Sequence, residues 1–283
     1  MPLVFVPTPL GNLRDVTLRG LDVLRDAQLI VAEDTRVARK LLRALGLPGR
    51  EIWSYREQNA RGATAAIVER ARNALVAVTA DAGMPGISDP GSELIAAART
   101  HGIAVEVLPG GSAATGVAVL SGFPLRRFTF EGFPPRTSTA RREHFRRSLR
   151  PDTTTIWYES PRRVRAALAD LAAVAPRAPV FLVREYTKLH EEQLTGTPHE
   201  VMERLTDPVR GEVAFAVGPH DLQAAAPPAR EATTAAIDAL LEDGHRVREV
   251  AKLLAARGFG DRQQLYTRAA ARKARRKTSI KQR

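Results

Sequence analysis

Three short apolar runs each stop at a loop crowded with glycine and proline, and this repeated form limits the fold more than any other feature of the chain. Leu3–Val6 runs into Pro7-Thr8-Pro9-Leu10-Gly11-Asn12-Leu13. Ala74–Val78 leads to Asp81 and then to Gly83, Pro85, Gly86, Pro90 and Gly91. Val105–Leu108 leads into Pro109-Gly110-Gly111-Ser112-Ala113-Ala114. A brief apolar run closed by turn residues reads as a buried strand. Glycine has no Cβ, so such loops let backbone amides approach a ligand closely. In open α/β sheets ligands bind at strand ends. Three loops converging on one sheet edge would therefore build a pocket of backbone donors and acceptors, with the Asp81 carboxylate at a strand end. For any one loop, a plain strand-to-helix turn is an equal reading. No G-x-x-x-x-G-K-[ST] is present and no G-x-G-x-x-G follows a strand, which sets aside a P-loop NTPase and an ordinary Rossmann enzyme.

Between these strands lie helical patterns at 16–25, 37–45, 63–71 and 93–100, with a further strand at Leu29–Ala32. Strands separated by helices predict a mostly parallel sheet covered on both faces. Gly122-Phe123-Pro124 marks a boundary. Beyond it, strands are predicted at 128–131, 154–158, 180–184 and 213–217, with helices at 139–149 and 164–174. The Ala/Pro-rich stretch 224–229 reads as a linker to three helical patterns at 233–241, 247–256 and 262 onward. The expected organisation is an α/β domain over 1–121, a second over 122–222, and a small helical module over 230–283 ending in a basic tail.

The 283 residues suffice for two medium domains with real cores. There is no cysteine, hence no disulfide framework or thiolate metal site, and the six histidines show no ligand spacing, so no metal is expected. No apolar run is long enough to span a bilayer and no signal-peptide pattern opens the chain, which predicts a cytoplasmic protein without membrane contact. The net charge of +12 is unevenly placed. Residues 268–283 carry eight Lys/Arg and no acid, and residues 126–165 carry eleven Arg against four acids, so the remaining chain is mildly acidic. Two basic patches on such a body suit phosphate-backbone contacts, although a solvated arginine face and a basic tail would look the same.

Eight motifs in order resemble the small-subunit ribosomal RNA methyltransferases of the tetrapyrrole methylase superfamily. They are Val6-Pro7-Thr8-Pro9-Leu10-Gly11-Asn12-Leu13, Ala32-Glu33-Asp34-Thr35-Arg36, Asp81 to Gly91, Leu108-Pro109-Gly110, Glu131-Gly132-Phe133-Pro134-Pro135-Arg136, Tyr158-Glu159-Ser160-Pro161-Arg162-Arg163, Arg184 to Glu191, and Gly211-Glu212. The likeness spans about residues 3–220 and, more loosely, the tail. It implies two α/β domains of tetrapyrrole-methylase type with a ligand cleft between them and a helical module behind. It implies methyl transfer from S-adenosylmethionine to the ribose 2′-OH of a cytidine in the decoding region of 16S rRNA, within the small ribosomal subunit, by a homodimer. By motif, the cofactor would meet Leu10, Asp81, Met84, Ser112 and Ala113. Gly83 and Gly110 would give it room, and Tyr158 and Arg184 would face it from the second domain. Glu33, Asp34 and Lys188 are the candidate catalytic residues on the acceptor side, with an ion-pair role the competing reading for each. Arg136, Arg141, Arg142, Arg146, Arg272 and Arg276 are the candidate RNA contacts.

The chain departs from that family at Met84, Gly111, Arg162 and Arg210, where Thr, Pro, His and Lys are usual. Arg56 and Gln58 stand where histidines are common, so no histidine base can act from those positions. Two other readings compete: a small-molecule methylase acting on tetrapyrroles, and an RNA-binding ribosome-assembly protein without catalysis. If the tail binds phosphates, deleting residues 268–283 is expected to weaken RNA affinity and flatten its salt dependence, measured by titration across a salt series; an unchanged slope excludes the contact.

Overall fold

The computed structural model describes residues 2–220, 230–256, 259 and 261–281. Its first sheet holds β1 (Leu3–Phe5), β2 (Leu29–Ala32), β3 (Ile52–Ser54), β4 (Val76–Thr79) and β5 (Val105–Val107). The order is β3-β2-β4-β1-β5, and every neighbouring pair is parallel. Helices α1 (Leu18–Asp26), α2 (Thr35–Ala44), α3 (Ala60–Ala71) and α4 (Ser92–Thr100) connect these strands. Because successive strand residues point to opposite faces, Leu3, Phe5, Leu29, Val31, Val76 and Val78 pack against α3 and α4. Val4, Val6, Ile30 and Ala77 pack the other way, against Leu24 of α1 and Leu42 of α2. The parallel sheet is thus buried on both faces, which is why its strands read as unbroken apolar runs.

The second sheet holds β6 (Phe128–Phe130), β7 (Thr154–Glu159), β8 (Val180–Arg184), β9 (Glu192–Gly196) and β10 (Val213–Val217), in the order β6-β7-β10-β8-β9. Only β6 and β7 run parallel; the other three pairings are antiparallel. One face buries Trp157, Leu182, Phe215 and Val217 under α6 (Ser138–Ser148), α7 (Val164–Val174) and α8 (Pro198–Arg204). The opposite face presents Ile156, Phe181, Val183, Ala214 and Ala216, and here Val117 and Ala118 pack on it. Those two residues belong to α5 (Ala113–Leu120), the helix that leaves the third glycine-rich loop of the first sheet. The chain therefore lays a helix of the first unit onto the sheet of the second. Towards the C-terminus, α9 (Arg230–Glu242), α10 (Val247–Ala256) and α11 (Arg262–Lys281) enclose a separate core of Ile237, Val250, Leu254, Leu265 and Ala269.

Two readings of the basic segments are corrected here. Arg141 is only 4% exposed, so it is no phosphate contact. Its Nη2 and Nε donate to Asp170 Oδ2 at 2.6 and 2.8 Å, while Arg142 Nε donates to Oδ1 at 2.6 Å, which ties α6 to α7. In α11, Ala269 is fully buried and Arg272 is ion-paired to Asp238. The first part of the tail therefore belongs to the module's core, and a truncation that isolates its charge should begin at residue 274. The side chain of Arg276 lies outside the described residues.

Breaking one half of a buried ion pair strands the other charge, at about 3–5 kcal/mol. Asp170→Ala is expected to lose about that much unfolding free energy in a denaturant titration. A loss under about 1 kcal/mol would show that Arg141 finds another partner.

Candidate functional site: two cavities where the sheets meet

The three glycine-rich loops do converge. Thr8 and Gly83 exchange both backbone hydrogen bonds, at 2.9 and 3.0 Å, stitching the first loop to the second. Gly83 has a φ of +81°, and a Cβ there would lie 2.8 Å from Leu10 Cδ2, so glycine is required twice over. Gly110 of the third loop presses on Pro7, where a Cβ would fall 2.6 Å from the proline's own Cβ. The close approach of all three loops depends on residues without side chains.

These loops form one wall of a cavity of about 350 Å³. Leu10, Gly83, Met84, Ser112 and Ala113 line it from the first unit, and Tyr158, Val183, Tyr186, Glu212 and Ala214 from the second. The cavity occupies the part of the second sheet's face that α5 does not reach. Its surface is mostly apolar, with a few fixed polar groups, as small-ligand sites usually are. The Tyr158 hydroxyl accepts a hydrogen bond from the Ala114 N–H at 2.9 Å, capping the start of α5. Burial raises the pKa of this hydroxyl. Ser112 Oγ is buried beside the Tyr158 hydroxyl without a well-formed hydrogen bond, although Ser112 is the N-cap residue of α5. A buried hydroxyl without a partner costs free energy unless a ligand supplies one.

A second cavity, of about 590 Å³, adjoins the first and shares Ser88 and Asp89 with it. Its walls are polar and acidic: Glu33, Asp34, Glu57, Asp81, Asp89 and Glu93, with Arg56 opposing them. Ser88 has a φ of +62°, a conformation a non-glycine residue rarely adopts and one that marks functional sites. Burial pushes the Asp89 carboxyl up to about 7, reinforced by the charge of Glu33, a hydrogen bond to it, and the charge of Asp81. The Glu33 carboxyl is also raised, first by burial and then by Asp81. Asp89 stands on the wall between the cavities with Glu33 beside it in the second, and the charge of Glu33 helps to keep Asp89 protonated.

The expected site residues divide accordingly. Leu10, Gly83, Met84, Ser112, Ala113 and Tyr158 line the first cavity, and Glu33 lines the second. Asp81 does not face the first cavity; it lies on the second, where its Oδ1 accepts the Asp34 N–H at 3.0 Å. Gly110 shapes the loop from behind, against Pro7. Arg184 points to the opposite sheet face from Val183, as strand alternation demands, and its Nε donates to Glu192 at 2.8 Å. Asp34 is committed elsewhere: it caps α2 through the Arg36 N–H and pairs with the Arg36 and Arg56 guanidiniums. The hydrogen bonds from Arg36 hold its carboxyl far below the usual range, so it is a poor base. Lys188 Nζ is bound at 2.9 Å by Glu185 and at 3.0 Å by Glu212. Burial disfavours its charge, but these two hydrogen bonds outweigh that and keep it an ammonium. Lys188 thus clamps the loop after β8 beside Gly11 and offers no basic lone pair.

Sequence reasoning missed Asp89, Phe133, Tyr186 and Glu212. Asp89 shares its Gly/Pro loop with Asp81, and Phe133 lies inside a quoted motif, so the signal was present but pointed to several residues at once.

A family profile for Tetrapyrrole (Corrin/Porphyrin) Methylases matches residues 2–201. The Ribosomal RNA small subunit methyltransferase I of Mycobacterium tuberculosis is 37% identical over 269 residues, 93% of each chain. That of Thermotoga maritima is 40% identical over 202 residues, 71% of this chain and 90% of its own. Among solved structures, a uroporphyrin-III C-methyl transferase from Thermus thermophilus complexed with S-adenyl homocysteine superposes with a TM-score of 0.54 at 21% identity, over 77% of this chain and 97% of that one. This last likeness speaks for the fold alone.

Asp89 gives a test of the shared wall. Below about pH 4 its carboxyl is protonated in both folded and unfolded chains and costs nothing. As pH rises towards about 7, the unfolded chain ionises freely while the folded one resists, so stability is lost across that window. Asp89→Asn is expected to melt a few degrees higher than wild type at pH 8 and no higher at pH 4; equal differences at both would place Asp89 in open solvent.

The family match and the length over which the relatives align lead to one conclusion: this chain belongs to the tetrapyrrole methylase family, among its small-subunit ribosomal RNA methyltransferases of type I.

Proposed function

We propose that this protein transfers a methyl group from S-adenosylmethionine to the ribose 2′-OH of a cytidine in the decoding region of 16S rRNA. The single observation that carries the reading is the pairing of cavities. One is apolar, glycine-walled and holds a buried hydroxyl without a well-formed hydrogen bond; the other is acidic; Asp89, its carboxyl pushed up by burial, stands between them with Glu33 beside it. In this reading the chain works as two α/β lobes, 1–121 and 122–222, with the helical module 230–283 behind, and its partners are the small ribosomal subunit and a second copy of itself.

The first cavity suits the cofactor. Leu10, Met84 and Ala113 offer apolar walls, Ser112 Oγ a hydrogen bond, and the bare Gly83 backbone a close approach. Bound there, the sulfonium supplies an already activated methyl group. The remaining work is the protein's own. It must hold the acceptor hydroxyl in line, keep water away and receive a proton. Asp89 and Glu33 fit the last task. A base poised near the working pH combines availability with driving force, so the ionised Asp89 carboxylate, with Glu33 beside it, can receive the hydroxyl proton and later give it to water. Arg36 and Arg56 hold Asp34 charged at the rim of this cavity, which sets Asp34 apart from Asp89 and Glu33.

The test is transfer of labelled methyl groups to small subunits from a strain lacking this protein, followed by nuclease digestion and mass spectrometry. The expected product is 2′-O-methylcytidine, formed at a rate that climbs with pH and levels off above about 7. A label on a base, or transfer to a free tetrapyrrole in place of the subunit, would overturn the reading. Calorimetry with S-adenosylhomocysteine separates both enzymatic readings from a non-catalytic RNA-binding protein.

A further inference from the structure

Phe133 stands out as an apolar side chain left bare at a built site. It lines the first cavity yet remains 53% exposed. The other aromatic residues there are engaged. Tyr158 packs against Phe130 with ring centroids 4.6 Å apart and caps α5 with its hydroxyl, and Tyr186 closes on Gly116. Phe133 makes one edge contact, with Tyr158, at 5.8 Å and 68°.

The loop that carries it is held from below. Arg163 Nη2 donates to the carbonyls of Pro134 and Pro135 at 2.5 and 3.2 Å, and Arg141 Nη1 to those of Pro135 and Arg136 at 3.3 and 3.2 Å. Each guanidinium is fixed in turn by a buried carboxylate, Glu159 at 3.1 Å and Asp170 at 2.6 Å. The Gly132 carbonyl accepts the Tyr158 N–H at 2.9 Å. Two prolines and five hydrogen bonds leave this segment little freedom to fold its ring away from water. The position is also specific: a Cβ on Gly132 would lie 3.9 Å from Ser88 Oγ, on the wall shared by the two cavities. Arg136, three residues on, is exposed.

We propose that Phe133 is the platform on which the base of the acceptor nucleotide stacks when its ribose enters the site, with Arg136 near the neighbouring phosphates. The inference rests on the methyl-transfer reading above and names how that site takes hold of its substrate. A ribose hydroxyl within folded RNA reaches an enclosed site only if its nucleotide swings out of the stack, which costs a few kcal/mol. An aromatic face recovers much of that cost, whichever base is presented. A ring carried on a held backbone has less freedom to lose in doing so. The cytosine amino edge would then meet a wall of carboxylate acceptors, the pairing that suits it.

The experiment compares Phe133→Ala, Phe133→Leu, Phe133→Tyr and Phe133→Trp in methyl transfer to small subunits, with S-adenosylhomocysteine affinity by calorimetry and thermal melting as controls. Phe133→Ala and Phe133→Leu are expected to lower kcat/KM for the subunit about tenfold or more, as loss of a stacking partner does. Phe133→Tyr and Phe133→Trp should stay within about threefold of wild type, and all four should bind S-adenosylhomocysteine as wild type does. Rescue by leucine would make the residue an apolar filler and overturn the proposal. A parallel loss of S-adenosylhomocysteine affinity would assign the ring to the cofactor and overturn it too. If the wild-type protein methylates no subunit, the functional reading falls and this inference with it; if it does and the alanine variant matches it, only this inference falls.

Discussion

The inner face of the second sheet has to be covered, and the chain covers only part of it. Ile156, Phe181, Val183, Ala214 and Ala216 form an apolar surface that water would penalise at roughly 25 cal/mol for each Å² left bare. Helix α5 meets it with Val117 and Ala118. Beyond the start of the helix, the loops of the first sheet cross the remainder, and the gap they leave is the first cavity. This one arrangement fixes the rest. It requires α5 to leave its own sheet, and the third loop that leads into it passes close against Pro7 at Gly110. It places the start of α5 at the cavity wall, with Tyr158 as its cap from the facing sheet. The first cavity is thus the unfilled part of a packing interface.

The two cavities differ because two different kinds of structure wall them. The first draws its lining from strand residues of the second sheet, which are apolar because a core face must be. The second is walled by the loops after β2, β3 and β4, where solvent-facing turn residues are free to be charged. Asp89 stands where the two surfaces meet, and its position alone explains its raised pKa: one side faces the apolar cavity and the other faces Glu33 and Asp81. A carboxyl pair in open solvent would ionise completely, and one in a dry core would never do so. The boundary is the place where a proton can be held and exchanged near neutral pH.

The central strands were legible in the sequence because both their faces are buried; β1, β2, β4, β8 and β10 read as continuous apolar runs. Of the four edge strands, β5 and β6 were also anticipated, but β3 and β9 were not. In β3 every residue is only half buried, and β9 reads Glu-Gln-Leu-Thr-Gly with a single buried position. Edge strands keep polar residues and lose the pattern on which a reader depends. Helix α8 did carry a signal, the Thr197–Glu200 capping box with proline after the cap, but seven residues gave too short a period to notice. In the site, the glycine-rich loops and their convergence were readable from spacing. The orientation of side chains was not. Arg184 and Val183 are neighbours in sequence and occupy opposite faces, and Asp34 sits beside Glu33 but is drawn away by Arg36. Identity narrows what a residue can do; its partners decide which of those roles it fills.

The basic segments make the same point about charge. Eleven arginines between 126 and 165 suggest a single cationic surface, yet the structure spends several of them inside. Arg141 and Arg163 hold the carbonyls of residues 134–136, and Arg165 reaches the carbonyls of Met202, Leu205 and Thr206 at the end of α8. Guanidinium suits this work because its fixed fork of donors can satisfy several backbone acceptors at once. What remains exposed is a smaller set that includes Arg136, Arg146, Arg147, Arg150 and Arg162. Arg136 is anchored through its own backbone carbonyl by Arg141. Arg141 and Arg163 set the backbone from which Phe133 and Arg136 project, so their charge serves geometry where the number of arginines alone had suggested a field.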